Sequence, residues 1–523
     1  MLRGTIAALV AILLLNPVAS VDEAFDAFWQ ARDVAEASDR AAEVLRSGAS
    51  FDEAYQRLKR GRRYTAQQSG TFRLTNRTAD RIEHQYAITI PDGYDPSKKY
   101  QVRVQLHGGV MMRHSNAPPP NAGGIGALAG AEQIYIVPFA WDAEAWWTDD
   151  QVLNLCAILD RTKRDFNVDE NRVVLSGVSD GGTGTYYTAM RETTPFAAFL
   201  PLNGFMMVLG ASDLVVDGPL YPNNMKDKPF FIVNGLRDPL YPVKTVQPYI
   251  EHYKEGGVTL EYHPQDAGHN TSWWPQVKDI YERFVREHPR QPYPDTLTWE
   301  TADPSTELNA GAGAHNRAHW LVIDALGHPK GEAASLPDLN DYVGPAAPDF
   351  GVRASGHRVM RVVAGSNAEK LGLKAGDVLM HLNDQTIPIA QDISEALENV
   401  APGSTITLMV ARDNEPVEIE GIYQPQIVKL PARQLFDRSQ PWGRVDLVRS
   451  GNTVTAATFG VSTFTLLLSP DQFDFSKPIT VVANGKTVFN GRVQKDRAVL
   501  MKWAAIDNDR TMLFGAELHV DVK

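Results

Sequence analysis

The chain has 523 residues, of which 43% are hydrophobic and 22% are charged, and its formal net charge at pH 7 is −12. At ~150 residues per domain, this length predicts about three or four folded domains. The composition excludes a collagen-like, low-complexity or disordered chain. The negative net charge argues against a nucleic-acid partner, because Lys and Arg supply most of the affinity for phosphate backbones. The single cysteine, Cys156, excludes an intramolecular disulfide.

The first twenty residues have the pattern of a secretory signal peptide. Arg3 supplies a positive start, residues 6–15 form an apolar run, and small residues precede a cleavage site near Ser20. Such a run is shorter than the ~20 apolar residues of a membrane-spanning helix. We therefore expect a periplasmic or secreted protein with no membrane span in the mature chain. Residues 21–68 are predicted to form a helical segment of two helices.

Short β-rich runs alternate with helical stretches over residues 69–290. This alternation predicts a doubly wound, mostly parallel α/β sheet with helices on both faces. In such a sheet, reactive groups gather at the carboxyl ends of the strands. The strand candidates are residues 86–90, 102–106, 134–137, 173–175, 199–202, 230–233 and 260–262.

One strand candidate leads directly into the pattern Gly-x-Ser-x-Gly. Gly177 and Gly181 leave room for a tight turn, and Ser179 precedes a helix-compatible stretch. At the N-terminus of that helix the dipole favours a developing anion. The five-residue pattern alone is more often a glycine-rich turn, but the strand before it and the helix after it favour a nucleophile.

A serine hydroxyl becomes a nucleophile when a histidine, oriented by a carboxylate, takes its proton. In this type of fold the chain order is Ser, acid, His. Asp238 follows the strand candidate at 230–233, and His269 follows the one at 260–262. We therefore predict a triad of Ser179, Asp238 and His269. The rival acids are Asp213, Asp217 and Asp266, and the rival bases are His252 and His263.

A loop for the tetrahedral intermediate is predicted after the strand at 102–106. Backbone N–H groups that stabilise the oxyanion contribute roughly 3 kcal/mol each. We predict the N–H groups of Gly109 and Asp180 as donors, with Gly108 or Val110 as alternatives to Gly109. His107 is expected to hold the loop by hydrogen bonds.

These motifs resemble the α/β-hydrolase superfamily, and within it the secreted esterases related to polyhydroxybutyrate depolymerases and feruloyl or acetylxylan esterases. The similarity covers roughly residues 70–290 and rests on residues 106–109, 147–166, 168–173 and 177–182. The resemblance implies a serine hydrolase that cleaves carboxylic esters through an acyl-enzyme and uses no cofactor. One departure is Asp180, which places a charge beside the nucleophile where many relatives carry a neutral residue.

Aromatic residues follow two of the strand candidates. Trp141 and Trp147 follow the strand at 134–137, and Trp273 follows His269. Aromatic walls suit stacking on a sugar or a phenolic acyl group. We predict these three tryptophans as substrate-binding residues for an ester that is carbohydrate-linked or has an aromatic acyl group; core packing is the alternative for them.

Residues 346–425 resemble a PDZ domain of the bacterial type, on the basis of residues 349–352, 359–363 and 367–379. The resemblance implies that an extended peptide adds a strand to the domain edge. Its terminal carboxylate would be bound by the backbone N–H groups of Phe350, Gly351 and Val352. The alternative is a groove filled internally, with the domain acting only as a spacer.

The remaining segments are rich in strand candidates. Residues 291–345 are predicted to be a β-containing connection, and residues 426–523 a C-terminal β-rich domain. Because the strand candidate at 319–324 has no obvious neighbour before the PDZ segment, we expect the PDZ domain to interrupt one β-domain. His315 and His319 have an i, i+4 spacing, but no clear helix and no acidic third ligand accompany them, so no metal site is predicted.

Three functions fit these features. The first is a secreted serine esterase whose PDZ module binds a peptide or partner. The second is a serine peptidase on the same scaffold, because esters and amides both react through an oxyanion. The third is a non-catalytic PDZ-containing binding protein, which an intact Ser, Asp and His set disfavours.

Overall fold

The computed structural model describes residues 19–77, 82–110, 125, 132–141, 144–302, 315–383, 385–387, 396–397, 400–429 and 431–522. The predicted signal peptide lies outside the described residues, except for residues 19 and 20. The chain divides into two compact units. Unit 1 comprises the residues up to Asn340 and from Leu435 onward, and unit 2 is Asp341–Gln434. Over the described residues, no helix combines the length and apolar character needed to cross a membrane.

Three helices open the described chain, where the sequence analysis predicts two. They are α1 (Val21–Trp29), α2 (Val34–Arg46) and α3 (Phe51–Arg60). A break separates α1 from α2 because Asp33 caps α2 through its side chain, which accepts the N–H of Glu36 at 2.8 Å. The apolar faces of these helices share one core with a late helix, α9 (Arg497–Asp507).

An eight-stranded sheet forms the centre of unit 1. Its strands are β1 (Gly70–Arg77), β2 (Glu83–Ile90), β3 (Tyr100–Leu106), β4 (Gln133–Pro138), β5 (Val168–Val178), β6 (Ala198–Leu202), β7 (Phe230–Ile232) and β8 (Leu260–Tyr262). They are ordered β1-β2-β4-β3-β5-β6-β7-β8. The pairs β1/β2 and β2/β4 are antiparallel, and the other pairs are parallel. The seven strand candidates of this region are confirmed, and β1 is an additional strand.

Helices cover both faces of this sheet. They are α4 (Asp149–Asp165), α5 (Asp180–Arg191), α6 (Val243–Glu255) and α7 (Trp274–Glu287). In β7, Phe230 stacks on Tyr186 of α5 with ring centroids 6.2 Å apart, whereas the next residue, Phe231, contacts Tyr281 of α7 at 5.5 Å. Because successive strand residues point to opposite faces, α5 and α7 lie on opposite sides. The predicted doubly wound, mostly parallel α/β sheet is confirmed.

Two smaller sheets of unit 1 share a second core, which includes Trp299, Trp320 and Phe464. The strands are β9 (Thr296–Thr301), β10 (Arg317–Ala318), β11 (Leu321–Leu326), β22 (Gly443–Ser450), β23 (Thr453–Phe459), β24 (Val461–Leu468), β25 (Ile479–Ala483), β26 (Lys486–Gly491) and β27 (Ala516–Asp521). The five-stranded sheet has the order β26-β25-β23-β22-β9 and the four-stranded sheet the order β10-β11-β24-β27. β9 pairs with β22 from Thr296 to Thr301 although unit 2 lies between them in the sequence.

Unit 2 has its own apolar core, in which Phe350, Val352 and Leu408 are buried. Its elements are β12 (Asp341–Tyr342), β13 (Ala347–Asp349), β14 (Val352–Ser355), β15 (Arg358–Val362), α8 (Asn367–Leu371), β16 (Val378–Leu382), β17 (Gln385–Thr386), β18 (Thr405–Arg412), β19 (Glu415–Ile422), β20 (Gln426–Val428) and β21 (Arg433–Gln434). The main sheet has the order β14-β15-β16-β18-β19, and two short pairs, β12/β21 and β13/β20, accompany it.

Candidate active site

Ser179 lies at the sharp turn between β5 and α5. Its backbone has φ 57° and ψ −120°, a conformation that non-glycine residues rarely adopt. The turn requires glycine on both sides. A Cβ added to Gly177 would lie 2.0 Å from the carbonyl oxygen of Gly181, and one added to Gly181 would lie 2.2 Å from that of Leu106. The close approach of these backbones places Ser179 at the N-terminus of α5.

Ser179, His269 and Asp238 form a continuous chain of hydrogen bonds. Ser179 Oγ lies 2.7 Å from His269 Nε2, and His269 Nδ1 lies 2.7 Å from Asp238 Oδ2. Because a carboxylate only accepts, Nδ1–H donates to Asp238, and Nε2 is left to accept the hydroxyl hydrogen of Ser179. The three residues follow β5, β7 and β8, whose carboxyl ends lie near one another in the sheet. The structure thus brings together all three residues of the predicted triad.

The Asp238 carboxylate is buried and held at both oxygens. It is 2% exposed, and its Oδ1 accepts the backbone N–H groups of Leu240 at 2.8 Å and Tyr241 at 3.1 Å. The Tyr241 ring lies 5.4 Å from the His269 ring. Burial and the nearby Asp180 and Asp238 carboxylates raise the pKa of Tyr241 to about 12, so this phenol stays neutral near pH 7. Asp238 therefore presents one fixed oxygen to the imidazole.

Asn203, which the sequence analysis does not single out, anchors the histidine loop. It follows β6 with φ 48°, and its backbone N–H donates to the Val233 carbonyl at 2.7 Å. Its Nδ2 donates to the carbonyl of Asn270 at 2.9 Å. Because Asn270 follows His269, this bond ties the histidine to the centre of the sheet. An Asn after a strand is an ordinary turn residue, so its sequence context carries no signal of this role.

The loop after β3 lies against Ser179. A Cβ added to Gly108 would lie 3.0 Å from Ser179 Cβ. His107 Nδ1–H donates to the Gly108 carbonyl at 2.8 Å, and its Nε2 accepts the N–H of Ala140 at 3.1 Å. Burial lowers the pKa of His107, which keeps the ring neutral, as these two bonds require. His107 therefore holds the loop by hydrogen bonds.

The structure narrows the alternatives for the first oxyanion donor. The Val110 N–H donates to Asp180 Oδ2 at 2.9 Å, so it is engaged by a side chain. Gly109, which has φ 71°, lies between the two residues whose backbone groups make these bonds. The His107 bond uses the Gly108 carbonyl and the Asp180 bond uses the Val110 N–H, so neither uses the Gly109 N–H. The Asp180 N–H lies in the first turn of α5, where N–H groups have no intrahelical partner. Gly109 and Asp180 stay the predicted pair of donors.

The three predicted substrate-binding tryptophans differ in burial. Trp141 is partly accessible, and its ring lies 4.9 Å from that of His107. Trp147 and Trp273 are only 2% and 4% exposed. Trp273 belongs to the core that packs α7 against the sheet. The packing alternative therefore describes Trp147 and Trp273, and Trp141 has surface available beside the loop of His107.

The rival residues of the sequence analysis lie in other contacts. Asp213 is exposed. Of the rival bases, His252 has Leu339 as its partner and His263 has Glu261. Of the rival acids, Asp217 has Asp149 as its partner and Asp266 has Arg237.

His319 accepts a hydrogen bond from the buried amine of Lys228, with His319 Nε2 2.8 Å from Lys228 Nζ. In the described ranges, no group of three or more His, Cys, Asp or Glu side chains is placed to hold a metal ion.

In unit 2, the predicted peptide-binding segment forms a turn before β14. Gly351 has φ 91°, and a Cβ added there would lie 2.0 Å from Ser366 Cβ. The neighbours Phe350 and Val352 are buried in the core of the unit. Within the described part of unit 2, β14 is the first strand of its sheet, with β15 as its one strand neighbour. Its other edge has no strand neighbour among these residues.

Comparison with known proteins identifies one module of the chain. Residues 340–420 match the family model of the PDZ domain. The chain contains a PDZ domain. With its sharp turn at Ser179 between β5 and α5, the sheet of unit 1 has the α/β-hydrolase fold.

Curated relatives match the chain at low identity. The bifunctional acetylxylan esterase/xylanase XynS20E of Neocallimastix patriciarum is 27% identical over 201 residues, which are 38% of this chain and 24% of that protein. Feruloyl esterase C of Emericella nidulans is 27% identical over 195 residues, 36% of this chain and 63% of that protein. Serine protease HTRA1 of Xenopus tropicalis is 31% identical over 118 residues, 23% of this chain and 24% of that protein. The chain thus spans less than two thirds of each of these relatives.

Solved structures of esterases also match. A thermostable esterase is 20% identical, with 42% of this chain and 63% of that chain covered and a TM-score of 0.34. Thermogutta terrifontis esterase 2 with bound propionate is 17% identical, with coverages of 42% and 94% and a TM-score of 0.34.

Proposed function

We propose that this protein is a serine hydrolase that cleaves carboxylic esters through an acyl-enzyme. The hydrogen-bonded chain from Ser179 through His269 to Asp238, at 2.7 Å for each link, is the observation that carries this proposal. Its geometry is that of a nucleophile, a base and an orienting acid. The identities with esterases support the same reaction class.

In the acylation step, Ser179 Oγ attacks the ester carbonyl carbon while His269 Nε2 takes the hydroxyl proton. Asp238 keeps the imidazole in the required tautomer and stabilises its protonated form. Negative charge develops on the former carbonyl oxygen, which the N–H groups of Gly109 and Asp180 stabilise. His269 then donates its proton to the leaving alcohol, and the acyl group remains bound to Ser179 Oγ as an ester.

In the deacylation step, water takes the place of the alcohol. His269 accepts a proton from water as its oxygen attacks the acyl carbonyl, and a second tetrahedral intermediate forms. Collapse of this intermediate releases the acid and returns the proton to Ser179. No cofactor enters either step.

Accessible apolar groups around the site support a proposal for the substrate class. Trp141 is partly accessible and lies against His107 of the loop that contains Gly109, and Leu240 is 61% exposed next to the contacts of Asp238. Aromatic and aliphatic surface of this kind suits an aromatic acyl group or a sugar ring. The named activities of the feruloyl and acetylxylan esterase relatives point the same way.

The PDZ domain is proposed to bind a peptide C-terminus beside β14, with the backbone of Phe350, Gly351 and Val352 at the carboxylate. We also propose export to the periplasm or medium after cleavage near Ser20. N-terminal sequencing of the mature protein tests the cleavage site, and a mature chain that begins at Met1 would contradict it.

A substrate panel tests the hydrolase proposal. Short and long nitrophenyl esters, methyl ferulate and acetylated xylan are compared for wild type, Ser179→Ala and the control Ser272→Ala, whose serine is exposed outside the triad. Ser179→Ala is expected to lower kcat by at least about 10⁴-fold, and Ser272→Ala to leave it unchanged. Equal rates for wild type and Ser179→Ala would reject the proposal. A fluorophosphonate probe should label wild type and fail to label Ser179→Ala.

A serine peptidase is the second candidate, because the relative HTRA1 is named as a serine protease and the same triad can attack amides. Peptide nitroanilides added to the panel separate the two reactions. A higher kcat/KM for amides than for every ester would favour the peptidase.

Ester hydrolysis is expected to fall on acidification, because a protonated His269 cannot accept the hydroxyl proton of Ser179. The pH dependence of kcat/KM measures this loss. Constant activity down to strongly acidic pH would contradict the role of His269.

A further inference from the structure

The side chain of Asp180 joins the two backbone segments that flank the reacting centre. Asp180 directly follows Ser179, and its Oδ2 accepts the N–H of Val110 at 2.9 Å. Val110 is fully buried at the end of the loop that follows β3. This single bond therefore links the start of α5 to the loop that contains Gly109.

The loop needs such a link because its backbone is intrinsically flexible. It contains Gly108 and Gly109, and Gly109 has φ 71°, a region that glycine enters freely. His107 restrains the near side by its bond to the Gly108 carbonyl at 2.8 Å. In a trans peptide the C=O and the following N–H point in opposite directions. The His107 bond therefore also sets the direction of the Gly109 N–H.

The far side of Gly109 is restrained through the next peptide unit, whose N–H is that of Val110. Together, His107 and Asp180 hold the two peptide units on either side of Gly109. A donor that is held in place before the reaction stabilises the oxyanion without reorganisation. The charge on Asp180 is tolerated because it lies in the first turn of α5, where the helix dipole favours an anion.

We propose that Asp180 is a positioning residue, whose carboxylate holds the 107–110 loop so that the Gly109 N–H can donate to the oxyanion. Its backbone N–H is the predicted second donor, so one residue contributes one donor and orients the other. Asp180 thereby acts on the rate of acyl transfer rather than on the choice of acyl group. Since this role rests on the proposed function, its test also has a readout that does not depend on catalysis.

The test compares Asp180→Ala, which removes the acceptor, with Asp180→Asn, which keeps an acceptor oxygen and removes the charge. Asp180→Ala is expected to lower kcat by about 10²-fold and to change KM by less than about threefold, because the oxyanion forms only after substrate binds. Asp180→Asn is expected to keep a kcat at least about tenfold above that of Asp180→Ala, because the hydrogen bond to Val110 is retained. Asp213→Asn, which changes an exposed acid, is the control for loss of charge.

Binding of a phenylboronic acid provides a second comparison, since it forms a tetrahedral adduct with the serine. Its affinity should fall in Asp180→Ala in parallel with kcat. A kcat for Asp180→Ala within about threefold of wild type would overturn the positioning role, and so would equal losses in Asp180→Ala and Asp180→Asn.

Amide hydrogen exchange in the 105–110 segment separates this role from the hydrolase proposal. Exchange should accelerate in Asp180→Ala and stay near the wild-type rate in Asp180→Asn, whether or not the protein hydrolyses any ester. Unchanged exchange in Asp180→Ala would overturn the loop contact. Accelerated exchange in a protein without Ser179-dependent turnover would overturn the proposed hydrolysis and leave the contact established.

Discussion

The two candidate sites use backbone polar groups in different ways. At the carboxyl ends of the central strands in unit 1, the groups around Ser179 are already engaged: Asp238 accepts two N–H groups besides His269, and Val110 N–H is bound by Asp180. In the described part of unit 2, β14 instead presents one edge without a strand neighbour. In unit 1 the proposed oxyanion donors, the N–H groups of Gly109 and Asp180, are thus fixed by the engaged groups around them, whereas in unit 2 the proposed peptide site is the open edge of a strand.

The strongest test of the fixed geometry in unit 1 is Asp238→Asn. The amide cannot hold the imidazole in the tautomer that accepts from Ser179, so kcat/KM for esters should fall by about 10⁴-fold. Asp266→Asn, which changes an exposed rival acid, should leave the rate near wild type. Steady-state kinetics on both variants decides between the acids, and equal losses would contradict the assignment of Asp238.

A matched pair of core truncations tests whether the two units are independent. Leu200 in β6 and Leu408 in β18 are both fully buried, in unit 1 and unit 2 respectively. Each substitution to Ala should lower the free energy of unfolding of its own unit by about 2–5 kcal/mol. Calorimetry should show one transition shifted in each variant, and Leu408→Ala should keep the wild-type kcat. A loss of ester turnover in Leu408→Ala would contradict independence.

Asn203→Gly tests how much one anchoring bond of the histidine loop contributes. Glycine accepts the φ of 48° but cannot donate to the Asn270 carbonyl. We expect kcat to fall by about tenfold because His269 is less well placed. Asn203→Ala adds backbone strain, so it should also lower the melting temperature relative to Asn203→Gly. Wild-type kinetics in both variants would remove Asn203 from the positioning of the site.

Lys228→Met tests a buried polar contact of unit 1 away from the triad. Burial lowers the pKa of Lys228 to about 7, and its amine lies 2.7 Å from the Phe196 carbonyl and 2.8 Å from His319 Nε2. Between pH 7 and the unfolded pKa of about 10.4, the unfolded state binds more protons, so this group makes stability rise with pH by up to about 1.4 kcal/mol per unit. Urea unfolding from pH 6.5 to 9.5 should give a flatter pH dependence for Lys228→Met than for wild type. An equal slope in both proteins would contradict the lowered pKa.

The smallest expected effect is that of removing unit 2 on ester hydrolysis. The residue before this unit, Asn340, and the residue after it, Leu435, are in contact with each other. The Leu435 N–H donates to the Asn340 carbonyl at 2.9 Å. The Asn340 side chain also bonds both backbone groups of Phe436. Replacement of Asp341–Gln434 by two glycines should therefore change kcat and KM by less than about twofold. A loss of tenfold or more would mean that unit 2 contributes to the ester site.

Much of the candidate site could be predicted because its motifs are local. Gly177, Ser179 and Gly181 define the turn by their spacing, and the structure gives the reason in the contacts that a Cβ would make. The strand candidates before Asp238 and His269 correctly placed both residues beyond the carboxyl ends of neighbouring strands. Trp147 and Trp273 could not be assigned in this way, because burial depends on neighbours from other elements rather than on residue type.

The amino-acid sequence by itself determined the alternating elements, the turn at Ser179 and the PDZ-like segment, since periodicity and glycine spacing act over a few residues. Beyond the predicted triad, only the tertiary structure decided which distant groups meet. Asn203 anchors the histidine loop, Asp180 occupies the Val110 N–H, and β9 pairs with β22 across the whole of unit 2. These contacts depend on strand order and register, which are set by packing of the complete chain and leave no local pattern in it.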